Sequence, residues 1–496
     1  MLHLSSSGSR GRAGPRRPRG AWLRVVTVAG VVAGMLALGA PVASVAAVRA
    51  APAQPAGPAA QATAAQTTKQ YVIRFWPRWI TYYQQLAFPV AIGVDRLGGP
   101  KVMGPMFRTV NLINNDTLYT AGVVNLSHGP VVLTIPPTTV TYSILPLSVF
   151  GHVVPVSIPS QTPGHYALVL PGWRGTLPAG VTKVTVPYPV TLWNVRSDFF
   201  SSTGVDMTAQ AYAFRAAVRL ASLAEYKANP NSGPVTIKPA AAFFFSFKVA
   251  QDTAATRTPT LYLRETQRAV HSATTQPLSA SDRQLSQAFD QAFAAAQQAA
   301  RHGNPVPLAR IDAAVRQAYR ALVANYKTHT GPTNWVHFTN FAEWGTTPQD
   351  FLDRAGESEF CQICNNITAA GYWTAFTDGA ARTLNGARHI YTLTFPAGEI
   401  PQAKRFWSVT AYLPRTLELV PNPANKYLVA SYTPGLVKNP DGSITITMAP
   451  TRPAGVPMAN WLPVPRRQFV VAMRAYGPTG NTASPTYAPP AITPAP

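Results

Sequence analysis

At 496 residues the chain is too long for one ordinary domain, and two or three are expected. Only 12% of its residues are charged, against 48 prolines and 34 glycines, which favours short strands joined by turns over long solvated helices. The formal net charge of +23 excludes an acidic, solvating chain and directs attention to anionic partners.

The first residues read as an export signal. Arg10, Arg12, Arg16, Arg17, Arg19 and Arg24 form a positive segment without acids. An apolar stretch from Val25 to Ala40 follows, then Pro41 and the small residues Val45-Ala46-Ala47. This predicts a secretory signal peptide over 1–47, cleaved after Ala47, with a retained membrane anchor as the alternative. Sec and twin-arginine export both stay open. Seven of the 42 basic residues precede residue 50, yet the remainder stays basic. An exported basic protein meets acidic envelope polymers or lipid head groups rather than nucleic acid. Any membrane association is then expected only through the signal segment. The Ala/Pro/Gln-rich residues 48–70 have the composition of a flexible spacer.

From Tyr71 to Leu97 the chain is aromatic-rich and reads as a partly helical entry segment, ended by Pro89. Phe107 to Asp198 turns to strands. The runs on either side of Ser127-His128-Gly129-Pro130, and the Pro-rich strand ends beyond, point to a β-sandwich over 71–206. The segment 207–335 reads as helical. Met207–Lys227 is Ala-rich, and Leu285, Phe289 and Phe293 form one stripe capped by Ser281 and closed by Gly303. Ile311, Val315, Ala318, Leu322 and Tyr326 form a second stripe. From 336 to 480 the β-pattern returns, with Asp441-Gly442 as a hairpin turn before Ile444, Ile446 and Met448. A Pro-rich tail covers 481–496.

Cys361 and Cys364 are the two cysteines. In an exported chain this C-x-x-C most simply forms a local disulfide, with redox chemistry and free thiols as alternatives. Two thiols are half a structural zinc site, and no second pair completes it.

Two groups of segments carry a resemblance. "NNDTLYTAGVVNLSHGPVVLTIP" and "YALVLPGWRGTLPAGV" resemble the bacterial domain of unknown function 1254. "LNGARHIYTLTFPAGEIPQAKRFWSVTAYL", "VPNPANKYLVASYTPGLVKNPDGSITI" and "ANWLPVPRRQFVVAMRAYGP" resemble its usual companion, the domain of unknown function 1214. The resemblance implies an immunoglobulin-like β-sandwich, α-helices in the middle and a jelly-roll-like C-terminal β-sandwich, and brings no settled activity. The family often carries an acid after the Tyr of its "FWS-x-T-x-Y" strand, where this chain has Leu413 after Tyr412.

The chain has no G-x-S-x-G elbow, no H-E-x-x-H, no phosphate-binding P-loop and no G-x-G-x-x-G after a strand. His329 and His337 flank a loop-like spacing and read as chance neighbours. Asp350, Asp353 and Glu357 would share one face if "DFLDRAGESEF" is helical, either as a solvated face beside Arg354 or as a carboxylate cluster for a hard cation. The knot Asn114-Asn115-Asp116-Thr117 reads either as an Asx-turn launching a strand or as the floor of a site. In the second reading Asn115, Asp116 and Tyr119 join Arg196, Trp407, Tyr412 and Trp461 around a small anionic or amphipathic ligand in an inter-domain cleft. The expected function is ligand binding by an exported protein of the envelope or extracellular space. The alternative is a hydrolase-like enzyme with an atypical carboxylate or metal site.

Overall fold

The computed structural model describes the backbone of residues 58–495 and the side chains from residue 62 onward; the expected signal peptide and the start of the spacer lie outside these residues. The described residues belong to one compact unit. It consists mainly of β-strands in four sheets, none closed, with a helical segment in its middle.

Helix α1, Pro58–Ile92, opens the described chain. It begins inside the stretch expected to be a flexible spacer, which is therefore helical from Pro58. It also runs through Pro77 and Pro89, where an end was expected at Pro89. Pro89 sits in the last turn, where it has no amide to offer Gln85 O although its own carbonyl accepts from Gly93 N (2.9 Å). Burial of Tyr71, Val72, Phe75, Trp76 and Trp79 stabilises the rest of the helix.

The first sheet has the order β4-β7-β2-β1-β9: Tyr142–Leu147, Val190–Asp198, Thr117–Asn125, Gly98–Pro100 and Thr236–Lys238. The second has the order β6-β5-β3-β8: Val181–Thr185, Gly164–Val169, Val131–Ile135 and Arg219–Ser222. The turn at Leu126–His128 therefore does not close a hairpin; it carries the chain from one sheet to the other. Val124, Trp193 and Val195 of the first sheet share a buried cluster with Leu133, Leu168 and Leu220 of the second. The span 207–227 is not one helix. It splits into α2 (Thr208–Ala217), β8 and α3 (Leu223–Ala228), because pairing of Leu220 and Ala221 with β3 wins over helix propensity.

Four helices follow: α4 (Phe247–Arg257), α5 (Pro259–Val270), α6 (Ala280–Arg301) and α7 (Val306–Thr328). Phe289 and Phe293 are buried on α6, and all five residues of the second stripe are buried on α7. The cap of α6 is Ser279 rather than Ser281; its side chain accepts from Asp282 N at 3.1 Å. A further helix, α8 (Pro348–Phe360), lies beyond the expected helical segment.

The third sheet has the order β10-β11-β17-β13-β14: Trp335–Val336, Ala370–Ala375, Val470–Pro478, Ala403–Tyr412 and Leu428–Ala430. The fourth has the order β16-β15-β12-β18: Trp461–Pro463, Ile444–Ala449, Tyr391–Phe395 and Thr493–Pro494. Gly442 takes φ +81° at the expected turn, but β15 pairs with β12 and β16 instead of forming a local hairpin. Val409, Val471 and Met473 of the third sheet and Leu393, Ile446 and Leu462 of the fourth share a second core. Between the two β-halves lies a third cluster, drawn from Tyr119 and Leu192 of the first sheet and Phe406, Tyr412 and Tyr476 of the third.

Candidate functional site

Side chains alternate across a strand, so each strand of the first and third sheets sends every second residue toward the joint between the halves. On β13 these are Phe406, Ser408 and Tyr412, whereas Trp407 faces the other core, against Phe395 with ring centroids 5.5 Å apart. Trp407 and Tyr412 stand five residues apart and cannot share a face. Trp461 also lies away from the joint, on β16, with its indole N–H donating to Ala449 O at 2.9 Å. The structure thus brings together Asp116, Tyr119, Arg196 and Tyr412, with Asn115 half-buried beside them, and leaves out both tryptophans.

The joint is polar and buried. Asp116 accepts from Ser408 Oγ at 2.7 Å and from the Tyr432 hydroxyl at 2.5 Å. Burial raises its pKa, opposed by these two donors and by Arg474. Tyr412 donates to Ile113 O (2.6 Å), and Arg474 Nη2 donates to Leu112 O (2.5 Å). Thr117 Oγ1 donates to Asn114 Oδ1 (2.9 Å), which ties the two ends of the polar knot together through their side chains. Arg196 stacks over Tyr119, 5.6 Å from the ring centre, and Nη2 donates to Asn365 Oδ1 (2.8 Å). Arg405 pairs with Asp198 from across the joint.

A second constellation opens to solvent where α4, α7 and α8 meet the loop after β13. It is a cavity of about 240 Å³, lined by Lys248, Asp252, Arg257, Tyr319, Lys327 and Glu359, with Pro414 and Arg415 from the C-terminal half. Local structure places each group. Lys248 and Asp252 stand one turn apart on α4, where Lys248 Nζ donates to Asp252 Oδ2 at 2.7 Å. Tyr319 and Lys327 project from α7. Glu359 lies in the last turn of α8, whose start is fixed by a capping box between Thr347 and Asp350. The Asn111 side chain brackets that end, donating to Glu359 O (2.7 Å) and accepting from Gln362 N (3.0 Å).

Lys248 also pairs with Glu359, and both are nearly inaccessible to solvent. Burial pushes the Glu359 carboxyl up to about 8 against the pull of Lys248, and Asp252 adds to the rise. Burial acts to lower the Lys248 ammonium, but Glu359 and Asp252 outweigh it and the group ends raised. Asp252 Oδ1 is buried without a hydrogen-bond partner. Burial, then Lys248, lowers Lys327, whose ammonium lies 5.0 Å from the centre of the Phe376 ring. Arg257, Lys327 and Arg415 take part in no carboxylate ion pair among the described residues.

The acids of α8 do not gather into a cluster. Asp350 caps the helix, Asp353 accepts from Asn325 (2.6 Å) and Gln349 (2.7 Å), and Glu357 accepts from the Trp344 indole (3.0 Å). His337 N donates to His329 O (3.0 Å), but the rings turn to different partners, His329 onto Phe338 and His337 onto Trp373. Cys361 and Cys364 lie at disulfide distance, with Cα atoms 5.8 Å apart, directly after Glu359. None of the pocket residues was among the ligand-binding candidates read from the sequence. The available signal was Lys248, a lone cation closing the aromatic run "FFFSFK" with Asp252 four residues on.

The molecule is therefore a mainly β protein of two sheet-built halves joined through a buried polar interface, with a cation-rimmed pocket beside the joint. Residues 96–222 match the family described as Protein of unknown function (DUF1254), and residues 369–480 match Protein of unknown function (DUF1214). The chain thus carries matches to both domains, in this order. No curated protein matches it. Among solved structures it is similar to the VPA0106 protein from Vibrio parahaemolyticus, at 18% identity and a TM-score of 0.54 over 87% of this chain and 100% of that one. It is also similar to an uncharacterised protein from Burkholderia cenocepacia, at 14% identity and a TM-score of 0.40 over 88% of this chain and 96% of that one. The first likeness bears on the fold.

Proposed function

We propose that this is an exported envelope or extracellular protein that binds a small anionic or amphipathic ligand in the pocket between its helices and its C-terminal half. The observation that carries this reading is the rim: Arg257, Lys327 and Arg415 face one cavity and take part in no ion pair among the described residues. The acids in the same pocket, Asp252 and Glu359, are already held by Lys248. Guanidinium groups match carboxylate and phosphate oxygens in paired hydrogen bonds, and Val323, Phe360 and Pro414 provide an apolar wall for an attached tail. Export rests on the basic and apolar N-terminal segment, and a Cys361–Cys364 disulfide suits that destination. Among the described residues no helix is long and apolar enough to cross a membrane. We further read the two sheet pairs as an immunoglobulin-like and a jelly-roll-like sandwich, supported by one shared core in each pair.

A hydrolase-like reading has one observation in its favour. Glu359, raised toward neutrality beside the unsatisfied Asp252, has the properties of a general acid. Thermal unfolding with inorganic phosphate, succinate and a long-chain fatty acid tests the binding reading. At least one anion should raise Tm, and Arg257→Ala with Arg415→Ala, both exposed, should abolish that rise. No shift with any anion, or the same shift in the double variant, refutes the site. If Glu359→Gln keeps the shift but removes turnover of a bound anionic ester, the hydrolase reading is the correct one.

A further inference from the structure

At one end of the fourth sheet the start of β12 lies beside the ends of β15 and β16. β12 runs antiparallel to β15 and β15 runs parallel to β16, so Tyr391 pairs with Met448 and Ala449 with Pro463. The three loops meeting there carry Arg388 and His389, then Arg452, then Arg466 and Arg467, with no acid among residues 385–390, 449–453 or 464–467. They surround an open cavity of about 360 Å³ lined by Arg388, His389, Arg452 and Arg466. These side chains are exposed. Arg452 donates to Val456 O (2.6 Å) and Arg466 to Thr451 Oγ1 (3.2 Å), and neither they nor Arg388 take part in an ion pair among the described residues.

We propose that this end of the sheet binds a linear acidic polysaccharide, at a site separate from the anion pocket. Neighbouring strands lie about 4.8 Å apart, so loops on three adjacent strands spread their cations over roughly 10 Å. One small anion satisfies one loop, whereas a chain of repeated carboxylates crosses all three. The guanidinium fork suits such groups better than an ammonium would. The cavity lining holds no Phe, Tyr or Trp, so single-stranded nucleic acid, which is held largely by base stacking, finds His389 as its one ring there.

Fluorescence anisotropy with labelled polygalacturonate tests the proposal on the full-length protein. Binding at low salt should weaken as NaCl rises from about 0.05 to about 0.3 M. Arg388→Ser, Arg452→Ser and Arg466→Ser combined should lower affinity about tenfold or more while leaving Tm unchanged, because all three are exposed and stability does not rest on them. Arg257→Ala with Arg415→Ala should leave polymer binding intact, which separates this surface from the pocket. Absence of binding at low salt, or equal affinity in the triple variant, overturns the proposal. So does free galacturonate competing as well as the polymer, or an oligothymidylate of equal charge binding more tightly.

Discussion

Tyr412 shows how much a single hydroxyl carries at the joint. It reaches Ile113 O at 2.6 Å from a side chain that is fully buried. Tyr412→Phe leaves that carbonyl without this donor and should cost about 1–3 kcal/mol, measurable by chemical denaturation. Glu359 makes a pH prediction. Its pKa rises from 4.5 to about 8 on folding, so between these values the folded protein holds a proton that the unfolded chain has released. Its contribution to stability is present below pH 4.5 and lost as pH rises through about 8. Glu359→Gln should flatten the fall in stability across that window, and an unchanged slope between pH 6.5 and 8 would show that another group is responsible. At this scale the sequence was partly legible. Asp116, Tyr119, Arg196 and Tyr412 do converge, while parity along β13 already separated Trp407 from Tyr412 and pointed instead to Ser408.

Helix α8 links residues to architecture at the next scale. Its first turn is held by Thr347 and Asp350, and Thr347→Ala should lower stability by about 1 kcal/mol in thermal or denaturant unfolding. Its last turn presents Glu359 to the pocket and passes directly into Cys361 and Cys364. A bond between cysteines three positions apart closes a very short loop, so reduction should cost less than the roughly 3 kcal/mol of a 15-residue loop. Comparison of Tm with and without reductant measures this. The loop after β13 is held differently. Leu417 takes φ +53°, and its carbonyl accepts from the amide of Leu112, itself at φ +50°. These left-handed leucines, one from each half, brace the segment that carries Arg415 to the pocket. The i, i+3 and i+7 pattern of Asp350, Asp353 and Glu357 was visible in the sequence. Their separate partners were not, because Asn325 and Trp344 come from other segments.

For the whole molecule, the joint predicts cooperativity. Asp116 and Arg196 belong to the first half, whereas Ser408, Tyr432 and Arg474 belong to the second, and all are buried. Unfolding one half would strand the other's polar groups, so calorimetry should show a single transition with matching calorimetric and van't Hoff enthalpies. Two resolved transitions would mean the joint contributes little. Acid should act through His152, whose pKa is lowered by burial, and by Arg354 beside it, to about 4. The unfolded imidazole takes up its proton near 6.5, so this group's contribution is present above 6.5 and lost as pH falls toward 4. The limb opposes that of Glu359, which places the clearest Glu359 signal above pH 6.5.

The alternation of short strands, the two apolar helical stripes and the family motifs are local patterns, and the sequence determined by itself the mainly β character, the helical middle and the domain combination. Which sheet each strand joins was decided by tertiary structure, because pairing partners lie far apart in the chain and a turn such as Leu126–His128 reads the same whether it closes a hairpin or changes sheets. The pocket was decided there too. Lys248, Lys327, Glu359 and Arg415 span more than 160 positions of sequence, and only the packing of α4, α7 and α8 against the loop after β13 places their charges around one cavity.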